Sequence, residues 1–262
     1  MGKSMSTFLD RLIRAFPTDY KNLSPDEQEE FADAHWNHLF DLKGPRSIKR
    51  KPLPIELWYH RRLFVPFGAI HKSYEALQDI EIYFRRFPYS GTRVSPVNHL
   101  RHNIYVYLEE VYILRQRLID YLNILEKDYT DDPQGKRIKG INQPLCQMLK
   151  KHLQPMVAAR IIHVHEGGYD EDALSRLDSL ELLANYKSQN DAEDKRRLTF
   201  LYKYEYKDGY RQERKRWSKL VRNWNVKFEK LADAYFESIG LIIFTPAGEL
   251  VFPSSAKNYS PS

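Results

Sequence analysis

Cysteine is almost absent. Cys146 stands alone and can form no disulfide within the chain, so a reducing, cytoplasmic setting is expected. Glycine is scarce as well, at 11 residues. With Leu, Glu, Lys and Arg plentiful, that scarcity favours helices over sheets. No apolar run approaches the roughly 18 residues of a membrane span, so no membrane is expected among the partners. MGKSMSTFLDRLIRAF carries charges inside its apolar stretch and is expected not to act as a secretory signal. The HExxH and CxxC spacings are missing. So are internal repeats and low-complexity tracts.

What is present fits a globular protein: 42% hydrophobic and 13% aromatic residues in a chain of 262, enough for one large domain or two small ones. The net charge of +6 is unevenly placed. Between Lys195 and Lys230 stand 13 Lys or Arg against 4 Asp or Glu, a net of +9, which leaves −3 for the rest of the chain. A charge so localised points to an anionic partner, with nucleic acid foremost.

Helical spacing runs through most of the chain. Residues 4–16 place Phe8, Leu9, Leu12, Ile13 and Phe16 at helical intervals. A second helix is expected from Ser24, a capping residue followed by Pro25, Asp26 and Glu27. KGPRSIKRKPLPIE reads as a solvated linker. Residues 68–86 carry Ile70, Tyr74, Leu77, Ile80 and Phe84 on one side. Residues 96–127 do the same with Leu100, Ile104, Val111, Leu114, Leu118, Leu122 and Leu125. DYTDDPQGKRIKG reads as a loop, and a further helix is expected over 143–165, ended by Gly167 and Gly168. Asp170 opens another through Leu174, Leu177, Leu180 and Leu183. Residues 191–239 look helical, with an interruption near Asp208 and Gly209. In LIIFTPAGELVF two apolar runs flank a Pro-Ala-Gly turn, which predicts a small β-hairpin. The expected fold is all-α: an antiparallel helical bundle with an N-terminal helical extension and a small C-terminal β-hairpin. The expected divisions are 1–66 for the extension and basic linker, 67–240 for the bundle, and 241–262 for the hairpin and tail.

The most loaded stretch is ARIIHVHEGGYDED, residues 159–172. One reading is a helix C-terminus, with His and Arg suiting the negative dipole end. Another is a metal-dependent hydrolase site built from His163, His165, Glu166, Asp170 and Asp172. In a helix, however, His163 and His165 diverge by about 200°. A third pairs Arg160 with His165. Arg93 and His99 show comparable spacing, but lie at a Gly-Thr loop and not late in an apolar helix.

RIIHVHEGG is similar to the helix-end signature of the HEPN superfamily, helical-bundle ribonucleases of the toxin and abortive-infection kind. There an arginine precedes a short apolar stretch and a histidine. The resemblance covers about residues 67–190. One position departs from the pattern: Ile161 stands where the family has a polar residue, with His163 as the nearby polar group. The resemblance implies metal-independent RNA cleavage. His165 would move the proton with His163 as helper, Arg160 would neutralise the phosphate, and Glu166 would orient a ring. It implies a homodimer whose motifs face each other, no cofactor and no metal, and an antitoxin or regulatory partner.

RRLTFLYKYEYKDGYRQERKRWSKLVRNW interleaves cations with Tyr202, Tyr204, Tyr206, Tyr210, Trp217 and Trp224. Its candidate nucleic-acid contacts are Lys195, Arg196, Arg197, Arg211, Arg214, Lys215, Arg216, Lys219 and Arg222. With aromatics inward and cations outward, the stretch also reads as an ordinary amphipathic face. A non-catalytic helical module that binds RNA or a protein is the main alternative function.

Overall fold

The computed structural model describes residues 2–16, 24–26, 55–88, 93–165, 172–185 and 192–258. Almost all of these are helical: α1 (Lys3–Arg14), α2 (Ile55–Arg85), α3 (Pro96–Asp128), α4 (Pro133–His165), α5 (Asp172–Asn185), α6 (Ala192–Phe200) and α7 (Lys207–Ile243). A π-helical segment, Leu201–Tyr206, joins α6 to α7, and a 3₁₀ turn covers Ser254–Asn258. Among the described residues the fold is all-α, as the spacing predicts. Among the described residues, no helix is long and apolar enough to cross a membrane.

The expected hairpin is not there. The run Leu241–Ile243 belongs to α7, because Tyr235, Phe236, Ile239, Ile242 and Ile243 continue one buried helical face. What remains is a single antiparallel bridge between Phe244 and Leu250. Its turn is closed by Gly248 at φ 87, a left-handed conformation that glycine adopts without strain.

PQGKRIKG, read as loop, is the first part of α4. Pro133 fits the first helical position, and Ile138 is buried. The helix expected after Ser24 lies almost wholly outside the described residues.

By contacts the chain divides into two compact units: Met1–Phe67, Tyr121–Asn142 and Asp233–Ser262 in the first, and Gly68–Asp120 with Gln143–Ala232 in the second. This division differs from the sequence segments 1–66, 67–240 and 241–262. The first of those boundaries falls inside α2 and the second inside α7.

The first unit is built around Phe8 of α1. Its ring centroid lies 5.5 Å from Phe67, 4.9 Å from Phe236 and 5.4 Å from Phe244. Asp233 of α7 caps α1, accepting from the Ser4 N–H at 2.9 Å and the Met5 N–H at 3.3 Å. Arg62 forks onto the buried Asp128 at 2.6 and 2.7 Å.

In the second unit α2 and α3 run antiparallel: Arg117 donates to the Ala69 carbonyl at 2.7 Å and to Ser73 Oγ at 2.6 Å. Tyr107 donates to Asn225 of α7 at 3.2 Å, and Asn225 donates to the Leu77 carbonyl at 3.0 Å. Phe84 stacks on Trp217 at 6.2 Å.

Candidate functional site

α4 carries the first group of expected site residues. Arg160 sits in the last two turns of the helix, and its Nε donates to Glu109 Oε1 at 3.0 Å.

 Its guanidinium carbon stands 4.1 Å over the Tyr112 ring. Both partners belong to α3, three residues apart, so the arginine ties the end of α4 to the middle of α3. The pairing draws the guanidinium toward its own chain. A phosphate would take the donors that Glu109 leaves, or displace Glu109 itself.

α4 stays helical through His165. Both histidines stand on the same helix as Arg160, three and five residues after it. The side chains of the two histidines, like Glu166 and Asp170, lie outside the described residues. Asp172 is the first residue of α5. Among the described residues no three His, Cys, Asp or Glu side chains gather as a metal would need.

α7 and the segments before it carry the second group. The helix is amphipathic in the strict sense. Trp217, Val221, Asn225 and Phe228 are buried, while Arg211, Lys215, Lys219, Arg222 and Lys230 are exposed. The spacing of each set by three and four residues puts the two on opposite faces.

Several of the cations already have neighbours. Arg211 pairs with Asp208 at 3.0 Å, Arg216 with Glu213 at 3.1 Å, and Arg222 with Glu81 at 3.1 Å. The Arg214 guanidinium, half-buried, lies 5.6 Å from the Tyr210 ring centre. The Arg211–Asp208 pair is exposed on both sides and weak, whereas the carboxylates of Glu213 and Glu81 are mostly covered. Arg196 and Arg197 are exposed on α6. Lys195 is on α6 too, with its side chain outside what is described.

The aromatics divide. Tyr206 and Trp217 are buried, and Tyr210 and Trp224 are half-buried. Burial raises the Tyr210 hydroxyl above its ordinary pKa, and Arg214 opposes that rise. Tyr204 is exposed, packed against Phe200 with ring centroids 4.9 Å apart. Tyr206 and Trp217 therefore serve the core, and the side chain of Tyr202 lies outside the described residues.

Sequence reasoning did not find Glu109, Tyr112 or Phe200. Glu109 and Tyr112 have helical spacing but no signal tying them to Arg160, 51 residues away. Phe200 stands four residues before Tyr204, the interval that places two rings side by side on a helix. A cleft of about 570 Å³ in the first unit was also not foreseen; Arg11, Arg14 and Phe16 line one side, and residues 246–250 with Phe252 the other.

No family model, curated protein or solved structure matches this chain.

Proposed function

We propose that this chain binds RNA and that the outward face of α7 grips the phosphates. One observation carries the reading: the strongest local excess of positive charge lies on a helix whose inner face is fully used by the core. Lys215 and Lys219 stand exposed on its outer face, beside Arg211 and Arg222, which are paired with Asp208 and Glu81. RNA is chosen among polyanions on the resemblance of RIIHVHEGG to the HEPN signature.

Fluorescence anisotropy with a short labelled RNA tests it. Lys215→Glu with Lys219→Glu reverses two exposed charges and is expected to weaken binding by about 10-fold or more at moderate salt. Unchanged affinity would contradict the reading. Polyglutamate competing as well as RNA would make the partner an acidic protein.

A second reading is favoured by Arg160, a guanidinium held in place by Glu109 and Tyr112 on the helix that also carries His163 and His165. Here the chain is a metal-independent endoribonuclease acting as a twofold dimer. The ribose 2′-OH attacks the neighbouring phosphorus, the 5′-oxygen leaves, and His163 or His165 moves the proton. The products are a 2′,3′-cyclic phosphate and a 5′-OH. Cleavage is expected to persist in EDTA, to spare a DNA copy, and to be lost in Arg160→Ala with RNA binding retained. Cleavage of DNA, or loss in EDTA with rescue by zinc or manganese, would replace it with the metal-dependent hydrolase.

A further inference from the structure

Two large rings on one stretch of helix are half exposed and lie against each other. Phe200 is 54% exposed and Tyr204 50% exposed. They lie 4.9 Å apart with planes tilted by 36°. Nearby aromatics show that this is not forced by composition, since Tyr206, Trp217 and Phe228 of the same stretch are all buried.

The π-helical turn accounts for the placement. In the wider i→i+5 winding of Leu201–Tyr206, each residue advances through a smaller angle than the roughly 100° of an α-helix. Tyr206 is turned inward, where its hydroxyl donates to Glu181 of α5 at 3.2 Å. Phe200 and Tyr204 are turned outward with the cations. The exposed positions 196, 200, 204, 208, 211, 215, 219 and 222 then follow one another at intervals of three or four. They form a single line of roughly 40 Å at 1.5 Å per residue. Arg196 stands at one end, the ring pair comes next, and Lys215, Lys219 and Arg222 follow. Asp208, the one acid on the line, is paired with Arg211.

α5 packs on the π turn through Glu181 and through Leu177, which lies close on Gly209, and Arg176 adds an exposed ion pair to Glu205 at 2.8 Å. A ring pair flanked by cations has the chemistry of a base-stacking platform, because every unpaired base offers a π face and every nucleotide a phosphate. Duplex RNA keeps its bases stacked on each other and offers only its backbone to such a face.

We infer that Phe200 and Tyr204 stack unpaired bases, so that this face takes single-stranded RNA in preference to duplex. The inference rests on the RNA-binding reading of α7.

The test is anisotropy with a labelled RNA of about 16 nucleotides, as a single strand and as a duplex with its complement. Three forms of the full chain are compared: wild type, Phe200→Ala with Tyr204→Ala, and Phe200→Leu with Tyr204→Leu. Circular dichroism checks that each is helical. Both double variants are expected to lose about 10-fold or more in single-strand affinity and little in duplex affinity. A Phe200→Trp variant reports independently, since a stacked base quenches indole fluorescence and a duplex does not.

Equal loss for both RNAs, no loss, or no quenching would overturn the inference. So would full single-strand affinity in the leucine variant, which marks an apolar contact without stacking. If the double variants instead dissociate a dimer and keep the strand preference, the ring pair is a contact between copies of the chain. A wild type that binds neither RNA, or whose binding ignores Lys215→Glu with Lys219→Glu, removes the underlying reading. Failure of the ring variants alone leaves that reading standing.

Discussion

Asp128 is fully buried at the end of α3, and the Arg62 fork holds both of its oxygens. Removing one member of such a pair leaves the other charge in a dry place. Arg62→Ala is therefore expected to destabilise the fold by about 3 kcal/mol, more than an exposed pair would. Urea denaturation measures it. A loss well under about 1 kcal/mol would show that water reaches Asp128. Asp233 offers a finer case. Its carboxylate caps α1, and a Cβ on Gly2 would sit 2.2 Å from its Oδ1. Asp233→Ala and Gly2→Ala should each cost about 1 kcal/mol, and together little more than either alone, because both remove the same cap. Additive losses in the same denaturation experiment would separate the two.

At the scale of elements, the start of α3 should respond to pH. Ser95 caps it, accepting from the Asn98 N–H at 3.1 Å. One turn in, His99 packs edge-on against Phe87 and takes the Asn103 amide at 3.3 Å. Burial, then the charge of His102, lowers the His99 pKa below its ordinary value. The native state thus prefers the neutral ring. Its contribution is fully present above about pH 6.5 and is lost as pH falls from there through the lowered folded value. Thermal melts at about pH 7.5 and 5.5 should show a larger drop for the wild type than for His99→Gln. Equal drops would contradict the assignment.

The helices themselves were largely legible. Every apolar residue that the spacing selects in α2, from Ile70 to Phe84, is buried, and so is every one from Leu100 to Leu125 in α3. Two segments misled for local reasons. PQGKRIKG has the composition of a loop, yet Gly135 is there because a Cβ would meet the Tyr129 carbonyl oxygen at 2.0 Å in the tight α3–α4 turn. LIIF alternates with nothing, and the helical phase of α7 simply claims it. Leu183 also departs from its expected inward face, being 46% exposed near the end of α5.

For the molecule as a whole, charge was the more legible part of the candidate site. The excess between Lys195 and Lys230 can be counted in the sequence, and its outward placement follows from helical periodicity. The ties of Arg160 could not be read there. Glu109 and Tyr112 reach it through the packing of α4 on α3, a long-range contact with no local signature. The line of Phe200 and Tyr204 with the cations keeps intervals of three and four that helical spacing would select, but the π turn that joins α6 to α7 has no local signature in the sequence.

RNA gripped through phosphates on α7 is the central claim, and the salt dependence of binding tests it most directly. The logarithm of affinity for single-stranded RNA should fall linearly with the logarithm of salt concentration, by roughly 0.7 for each phosphate contact. Removing two contacts with Lys215→Ala and Lys219→Ala should make the slope shallower by about 1.4. A slope that the double variant leaves unchanged would contradict the claim.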